Sequence, residues 1–289
     1  MIPALCCPNC HAPLSESPGH VTCTRCPRVF RDVEGFRCII AEELSPALRK
    51  EVAWYDETTR PAVPKPSALL AHTKARAAVE HALRRLGATD QSTVLTVACG
   101  SGTEVQFIEA VTQHIAGIDI APAALKEFRR RHPNVQVYLA LANWLPFPSR
   151  SFDFVVASGL LHHLVGQGRM RPFLREFHRV LAQGGAFVAV EPNVMYPLQW
   201  LLTPVNRVVQ AIRPGWRGLV PHERPVSAWY LMREMRAAGF RDPAYFSSTF
   251  IHNRLPFRLA QRLDAVENEI RFRKPWAAFG WWVTVMARS

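Results

Sequence analysis

The sequence predicts an α/β fold with a doubly wound, mainly parallel sheet, preceded by a small zinc module. From residue 67 onward, short apolar runs rich in β-branched residues alternate with helical patterns. This alternation is typical of parallel strands joined by crossover helices. Five of the seven cysteines lie within the first 26 residues, which indicates a separate metal-stabilised segment at the N-terminus.

The cysteines are spaced as two pairs. Cys7 and Cys10 form one C-x2-C pair, and Cys23 and Cys26 form a second after twelve intervening residues. Each short turn can direct two thiolates at one ion, so we expect a tetrahedral zinc site, with Cys6 as a substitute ligand. A structural zinc supplies roughly 10–16 kcal/mol to a segment too short to fold alone.

The surrounding segment, CPNCHAPL…VTCTRCPRVFRDVEGFRCII, resembles the zinc ribbons of small methyltransferase-activating proteins. It is also similar to the zinc finger that opens certain ribosomal RNA guanine methyltransferases. The resemblance covers about 40 residues, and residues 1–40 are therefore predicted to be a zinc ribbon. Four thiolates leave no open coordination position, so the zinc is expected to be structural.

Residues 41–66 are predicted to be a linker because this stretch is polar and then proline-rich. Trp54 and Tyr55 within it could cover a ligand or anchor the linker to the main domain. A helix with regularly spaced apolar residues is expected over 67–86, where Gly87 ends it. The main domain is predicted to extend over 67–289.

A glycine-rich turn follows the first predicted strand of this domain, at 93–98. Gly100 and Gly102 permit a tight turn and a close backbone approach to a ligand. The next strand, at 113–118, is followed by Asp119, whose carboxylate can accept hydrogen bonds from both hydroxyls of a ribose. The turn and the acid together predict a nucleoside-binding site.

The remaining predicted elements continue the alternation. They are helices over 122–131, 169–181 and 228–238 and strands over 135–139, 151–157, 186–190, 244–250 and 280–287.

Four segments together resemble the class I S-adenosylmethionine-dependent methyltransferases: VACGSG, GIDIAPAAL, LPFPSRSFDFVVASGLLHHL and LREFHRVLAQGGAFVAVEPN. The resemblance implies a Rossmann-like domain that binds S-adenosylmethionine. The residues it assigns to the cofactor are Ala98, Gly100, Gly102, Asp119, Ile120, Ala142, Asn143, Trp144 and Ser158.

Two positions depart from the pattern of that family. Thr96 stands where the first strand normally carries an acid, and Leu141 stands where an aspartate normally faces the adenine. On this alignment Asp119 is the only clear acidic contact, the backbone near Ala142 recognises adenine, and Trp144 stacks on the base. The departures indicate either family drift or a cofactor pose altered for unusual chemistry.

Candidate catalytic residues are few. His162 and His163 follow the fourth strand, where an acceptor would lie, and either one could act as a base or simply pack. Glu191 and the group His222–Glu223–Arg224 are further candidates. The Asn/Asp-Pro-Pro-aromatic motif expected of nucleic-acid amine methyltransferases does not occur in the sequence.

Residues 194–220 form an apolar, aromatic insertion with few charges. In the family that the sequence resembles, such an insertion often covers the substrate, so we expect a lid over a small or lipid-like acceptor. A dimer interface or a membrane-contacting surface is the alternative.

Composition limits the partners. The net charge of +12 admits an RNA partner, yet no block of five like charges occurs, and the densest basic run is Arg129–Arg131. No run of 18 uncharged apolar residues is present, and the first ten residues do not read as a signal peptide. We therefore expect a cytoplasmic protein without a membrane span.

The sequence is compatible with three functions. The first is methyl transfer from S-adenosylmethionine to a small metabolite. The second is cyclisation of the cofactor to azetidine-2-carboxylate with release of methylthioadenosine, which the loss of an acid at Thr96 would favour. The third is methylation of ribosomal RNA, gripped by the ribbon and a basic surface.

Overall fold

The computed structural model describes residues 1–40, 65–165, 168, 170–212 and 224–289, together with positions 46, 49, 52 and 53. Trp54, Tyr55, His222 and Glu223, which the sequence analysis names as candidates, lie outside the described residues. So does the second part of the apolar insertion, from 213 to 220.

Eleven strands of the described chain form the sheet. They are β1 (Leu14–Ser17), β2 (His20–Cys23), β3 (Val29–Val33), β4 (Phe36–Ile39), β5 (Val94–Val97), β6 (Ile115–Asp119), β7 (Gln136–Ala140), β8 (Phe152–Ser158), β9 (Leu181–Pro192), β10 (Arg241–Thr249) and β11 (Trp282–Arg288). Their spatial order is β1-β2-β3-β4-β7-β6-β5-β8-β9-β11-β10.

Eight α-helices connect or cover these strands in the described residues. They are α1 (Pro66–Arg85), α2 (Val105–Glu109), α3 (Pro122–Arg131), α4 (Leu161–Leu164), α5 (Met170–Val180), α6 (Pro197–Ile212), α7 (Ala228–Ala237) and α8 (Phe257–Ile270). None of the described helices is long and apolar enough to cross a membrane.

The central strands are parallel, which confirms the predicted doubly wound α/β fold. β5 pairs in parallel with β6 on one side and with β8 on the other, so the chain leaves β5 in one direction and later returns to its other side. In open parallel sheets, ligands bind at such a reversal, outside the carboxyl ends of the strands. The ends of β5, β6 and β8 are therefore where a ligand site belongs.

β5 is buried on both faces, as its apolar sequence predicts. Leu95 and Val97 point to the core on one side of the sheet, and Val94 points to the core on the other side. The hydroxyl-bearing Thr96 is also fully buried. A buried hydroxyl needs a hydrogen-bond partner, and its partner lies in the loop after the strand.

Several elements differ from, or were not among, those predicted from the sequence. β9 begins five residues before the predicted strand at 186–190. A short helix of five residues follows the glycine turn and begins at Val105, so Thr103 and Glu104 belong to the preceding turn. Helix α8, Phe257–Ile270, was not predicted from the sequence. It packs against α1, and it buries Ala260 and Glu267, while its other positions are exposed or half-buried.

The N-terminal module joins the main sheet directly. Its last strand, β4, pairs in parallel with β7, with Cys38 opposite Leu139 and Ile39 opposite Ala140. The Cys6 amide donates to the Pro146 carbonyl at 2.9 Å. The first forty residues therefore extend the sheet at its β7 edge.

Candidate cofactor site

A cavity of about 300 Å³ opens at the carboxyl ends of β5, β6 and β8. It lies at the chain reversal, where the topology places a ligand site. Residues predicted from the sequence that line it are Ala98, Gly100, Asp119, Ile120, Ser158 and His163.

Four predicted cofactor residues do not line this cavity. The Gly102 carbonyl accepts a 2.9 Å hydrogen bond from His132 Nε2, and a Cβ at Gly102 would lie 2.8 Å from the His132 ring. Gly102 is therefore required for packing of the turn. Ala142, Asn143 and Trp144 form a turn just after β7, closed by a 3.1 Å bond from the Trp144 amide to the Leu141 carbonyl.

Asp119 shapes the glycine turn as well as lining the cavity. Its Oδ2 accepts a 2.7 Å hydrogen bond from the Gly100 amide. Its Oδ1 accepts from the amides of Ile120 at 2.7 Å and Ala121 at 2.9 Å. These three amide contacts fix the orientation of the Asp119 carboxylate at the cavity wall.

A second carboxylate, which the sequence analysis did not identify, lines the same cavity. Glu104 is 4% exposed, and its Oε1 accepts a 3.0 Å hydrogen bond from Thr96 Oγ1. The expectation that Asp119 would be the only acidic group at this site is therefore wrong. The turn after Gly102 therefore brings a carboxylate to the side chain of Thr96 in β5.

Arg76, on α1, also lines the cavity, and its positive charge attracts the Glu104 carboxylate. Burial raises the pKa of Glu104, and the positive charge of Arg76 and the Thr96 hydrogen bond oppose that rise. Burial also lowers the pKa of the Arg76 guanidinium, while Glu104 raises it. One wall of the cavity thus carries a half-buried cation, Arg76, and a buried acid, Glu104.

Backbone geometry brings the main chain close to the cavity. Ala98, directly after β5, has a φ of +53°, and Gly100 has a φ of +50°. Residues with side chains rarely adopt this left-handed conformation. The strain at Ala98 is held by the bonds around the turn, among them one from the Cys99 amide to the Ile118 carbonyl at 3.0 Å.

His162 is fixed by a fully buried carboxylate. Glu191 Oε2 accepts a 2.8 Å hydrogen bond from His162 Nδ1, and Oε1 accepts from the amides of Leu160 and Leu161 at 3.0 and 2.7 Å. The His162 Cε1 atom lies 3.8 Å from the position of a Cβ at Gly159, which lines the cavity. The histidine ring is thus oriented beside the cavity wall.

His163 lines the cavity itself. Its ring packs against the His162 ring with 4.1 Å between centroids. Burial lowers the pKa of His163 to about 3, and the neighbouring His162 adds to the effect. At neutral pH this imidazole is uncharged and a weak base.

The four cysteines predicted to bind zinc converge. The sulfurs of Cys7, Cys10, Cys23 and Cys26 all lie within 4.8 Å of one another. Individual Sγ–Sγ distances are 3.8 Å for Cys7–Cys26, 3.4 Å for Cys10–Cys23 and 3.8 Å for Cys10–Cys26. A tetrahedral zinc with bonds of 2.3 Å separates its sulfurs by about 3.8 Å, so the donor set fits such an ion.

Comparison with known proteins finds a methyltransferase domain within the chain. Residues 95–189, from β5 to β9, match the family model described as "Methyltransferase domain". These residues form a domain of the S-adenosylmethionine-dependent type. The matched range contains the glycine turn, Asp119, Glu104 and the His162–His163 pair, and the cavity-lining Arg76 precedes it.

Curated relatives share this domain at modest identity. A probable S-adenosylmethionine-dependent methyltransferase of Mycobacterium tuberculosis is 31% identical over 52% of this chain and 49% of its own length. A demethylmenaquinone methyltransferase of Chlorobaculum tepidum is 29% identical over 60% of this chain and 75% of its own. An 18S rRNA (guanine-N(7))-methyltransferase of Bos taurus is 27% identical over 58% and 66%, respectively. The chain spans about half the length of the mycobacterial relative.

A solved structure supports the fold. A methyltransferase of Thermotoga maritima, described as a possible histamine N-methyltransferase, superposes with a TM-score of 0.56 at 18% identity. The superposition covers 77% of this chain and 91% of that one. At this identity the likeness establishes the Rossmann-like methyltransferase fold.

Proposed function

We propose that this protein binds S-adenosylmethionine in the cavity and transfers its methyl group to a small-molecule acceptor. The observation that carries the proposal is the pair of carboxylates on opposite sides of the glycine turn. Asp119 ends β6, and Glu104 lies beside Arg76 against the end of β5. S-adenosylmethionine carries ribose hydroxyls that suit Asp119. It also carries a zwitterionic amino-acid tail that suits Glu104 and Arg76.

The ribose and the amino-acid end of the cofactor are assigned to cavity residues by charge and hydrogen-bonding capacity. The Asp119 carboxylate accepts hydrogen bonds from the ribose hydroxyls. Glu104 pairs with the α-ammonium group, and Arg76 pairs with the α-carboxylate, because opposite charges compensate each other's burial. The turn at Ala142–Trp144 follows β7, the strand next to β6, and is proposed to contact the adenine.

His162 is proposed to act as a base for an acceptor that must lose a proton. Glu191 holds its Nδ1 at 2.8 Å, which leaves Nε2 to accept a proton. His163, whose pKa is lowered to about 3, is assigned to packing and neutral hydrogen bonding. In-line methyl transfer otherwise needs mainly positioning, because the cofactor's sulfonium is already a good leaving group.

Zinc is proposed to stabilise residues 1–40. The four-sulfur donor set matches tetrahedral coordination. Through the pairing of β4 with β7, an ordered ribbon would also cover the edge of the methyltransferase sheet.

The distribution of charge favours a small acceptor over RNA. Residues 1–40 contain four arginines against three acidic residues, so the ribbon itself is not strongly basic. In the densest basic run, the Arg129 guanidinium lies 4.0 Å from the centre of the Phe36 ring. Arg130 and Arg131 both pair with Glu127 at 2.7 Å. These cations already have partners within the protein.

Glu104 removes the reason for considering cyclisation of the cofactor. That alternative relied on a site without an acid near the amino group, so that the amine could lose its proton. A carboxylate at Glu104 instead stabilises the ammonium form and raises the amine's pKa. A protonated amine has no lone pair with which to attack its own chain.

The test is to incubate the zinc-loaded protein with methyl-labelled S-adenosylmethionine and a panel of small acceptors. A parallel reaction contains ribosomal RNA. The proposal predicts labelled small-molecule product together with S-adenosylhomocysteine. Label transfer confined to RNA, or release of methylthioadenosine without any acceptor, would overturn it.

A further inference from the structure

Helix α6, in the apolar insertion, carries exposed apolar side chains along one face. Val205, Val208 and Ile212 are 56%, 60% and 73% exposed. Their spacing of three and four residues places them on the same side of the helix. A helix packed on a globular domain normally turns such a face to the core, because removing apolar side chains from water is favourable. This face of α6 is therefore available for contact with another apolar surface.

Trp200 adds an aromatic ring near the start of the same helix. Its indole Nε1 donates a 2.9 Å hydrogen bond to the Val194 carbonyl, and more than half of the residue is exposed. The one polar group of this side chain is thus paired within the protein. The ring surface that remains in contact with solvent is apolar, and tryptophan rings of this kind are typical of helices that lie in the boundary region of a bilayer.

Helix α8 begins next to the start of α6. Tyr196, directly before α6, stacks on His252 with ring centroids 5.8 Å apart and an interplanar angle of 5°. The Tyr196 hydroxyl donates to the Phe250 carbonyl at 3.3 Å. Tyr196 and Leu255 pack on the same buried apolar cluster, and α8 starts at Phe257. The first turns of the two helices therefore lie side by side.

The first turns of α8 expose a mixture of apolar and basic side chains. Phe257 and Leu259 are both exposed. Arg258 and Arg262 are exposed as well and lie one helical turn apart. Neither arginine forms an ion pair with a carboxylate among the residues that the structure describes. This part of α8 therefore presents two available cations next to exposed apolar groups.

The charge around these two helices is positive. From residue 192 to residue 222 the sequence contains three arginines and no acidic residue. On α8, Asp264 and Glu267 both pair with Lys74 of α1, so they do not offset Arg258 and Arg262. Cations beside an apolar surface complement a bilayer with anionic headgroups, because the cations attract the phosphates while the apolar side chains enter the acyl boundary. RNA would pair with the arginines but leave the apolar side chains in water.

Helix α6 starts at the edge of the sheet where the cofactor cavity opens. β8 and β9 are parallel, with Ser158 opposite Val190, and Ser158 lines the cavity. β9 ends at Pro192, and α6 begins five residues later at Pro197. The carboxyl ends of both strands therefore lie at the same edge, and the exposed helix follows directly from it.

We propose that α6 and the first turns of α8 form a docking surface for an anionic bilayer, here called the bilayer-contact face. Its apolar members are Trp200, Val205, Val208, Ile212, Phe257 and Leu259. Arg258 and Arg262 contact the headgroups. The protein lies on the bilayer with these helices at the boundary between headgroups and acyl chains. This inference goes beyond methyl transfer and does not depend on it, because docking requires neither cofactor nor acceptor.

Vesicle binding by the zinc-loaded wild-type protein tests the proposal. One set of vesicles contains phosphatidylcholine alone, and the other contains equal parts of phosphatidylcholine and phosphatidylglycerol. Co-sedimentation measures the bound fraction of protein against lipid concentration. Each arginine near an anionic surface strengthens binding about fivefold, so the anionic vesicles should bind at least about tenfold more tightly. Equal affinity for the two sets, or binding to neither, would overturn the proposal.

A double variant tests the apolar part of the bilayer-contact face. Val208→Glu combined with Ile212→Glu places two carboxylates where the acyl boundary is proposed to lie, and should weaken vesicle binding at least about tenfold. Val29→Glu combined with Val33→Glu, at two exposed positions of β3, changes the net charge equally and is the matched control. S-adenosylhomocysteine affinity should be the same in both. Unchanged vesicle affinity in the folded α6 variant would contradict the proposal.

A second double variant tests the cations. Arg258→Gln combined with Arg262→Gln should weaken binding to the anionic vesicles at least about tenfold. Arg31→Gln combined with Arg236→Gln, at exposed positions of β3 and α7, removes the same charge elsewhere and should have little effect. An equal loss of affinity in the two variants would show that net charge alone attracts the protein, and would reject the bilayer-contact face.

Two other occupants of this surface give different results. A wild-type dimer that dissociates in the α6 variant, measured by sedimentation velocity, together with no vesicle binding, would assign the face to a second copy of the chain. Binding of a single-stranded RNA that is lost without Arg258 and Arg262, again with no vesicle binding, would assign the arginines to nucleic acid. Either result overturns the proposal. The lipid preference of the wild-type protein decides the matter if a variant does not fold.

Discussion

The Thr96 hydroxyl donates a 3.0 Å hydrogen bond to the Glu104 carboxylate inside the cofactor cavity. By the resemblance to class I methyltransferases, Thr96 stands where an acid is expected, and Glu104 contacts it from the turn eight residues later. The carboxylate thus comes from the turn, at Glu104, and the strand supplies the Thr96 hydroxyl that donates a hydrogen bond to it. We propose that this pair holds the amino-acid end of S-adenosylmethionine, with a threonine in the first strand.

Replacing Glu104 tests the carboxylate of the turn. Glu104→Gln keeps the size and the hydrogen bond from Thr96 but removes the charge that we assign to the cofactor's ammonium group. Loss of a charge-assisted bond worth about 1.5–3 kcal/mol should weaken S-adenosylhomocysteine binding by at least about tenfold. Calorimetry measures the effect. Glu80→Gln, at a half-buried position of α1 that pairs with Arg84, is the control and should bind normally; equal affinities for the two variants would refute the assignment.

Asp119→Ala should have a larger effect, because it removes the proposed ribose contact and three amide hydrogen bonds that shape the turn. A loss on the order of 3 kcal/mol corresponds to about a hundredfold weaker cofactor binding. The exposed Asp90→Ala variant provides the comparison. A change of less than threefold in Asp119→Ala would remove Asp119 from the cofactor site.

Zinc content tests the N-terminal assignment. The wild-type protein should contain one zinc per chain, and Cys10→Ser should lose it. Cys6→Ala should keep it, because the Cys6 sulfur lies outside the four-sulfur group. Since β4 pairs with β7, zinc loss should also increase hydrogen exchange at the Leu139–Ala140 edge. Full zinc binding by Cys10→Ser would contradict the ligand set.

His162→Gln tests the proposed base. General base catalysis contributes about 10²–10⁴-fold to a rate, so methyl transfer to an acceptor that loses a proton should slow at least a hundredfold. Cofactor affinity should stay the same, because the assigned cofactor contacts do not include His162. His178→Gln, whose ring packs on Phe240, is the comparison. Equal turnover by the two variants would leave His162 with a packing role alone.

Three histidines with lowered pKa values predict how stability depends on pH. His72, His163 and His252 have pKa values lowered from 6.5 to about 4, 3 and 4. Below pH 6.5 the unfolded chain therefore binds more protons than the folded protein, and the free energy of unfolding falls as the pH drops towards 4. Denaturant titrations between pH 7 and pH 5 measure this fall. His252→Gln should make it shallower, and an unchanged slope would show that His252 does not contribute.

Much of the fold follows from local sequence patterns. β5 and β6 were predicted within two residues of their observed limits, because a fully buried parallel strand leaves a continuous apolar run. Helix α3 matches its prediction of 122–131, since Pro122 is suited to the first turn of a helix. The cysteine pairs likewise predicted the convergence of four sulfurs, because the spacing alone limits where those thiolates can lie.

The missed features depend on contacts distant in sequence. Glu104 was missed because its importance arises only when the turn folds it back on Thr96; an acid directly after the glycine turn is the signal that could have found it. Arg76 lies on a helix before β5, and only packing of that helix against the sheet brings it to the cavity. Trp282, at the start of β11, lies close to Gly159, which follows β8, and no local sequence pattern encodes this proximity.

Calorimetric titration of S-adenosylhomocysteine into the zinc-loaded wild-type protein tests the central claim most directly. That claim is that the cavity bounded by Asp119, Glu104 and Arg76 is a cofactor site. The account predicts one molecule bound per chain, with the affinity reduced at least tenfold in Glu104→Gln and about a hundredfold in Asp119→Ala. Absence of binding by the folded wild-type protein, or the same affinity in all three proteins, would contradict it.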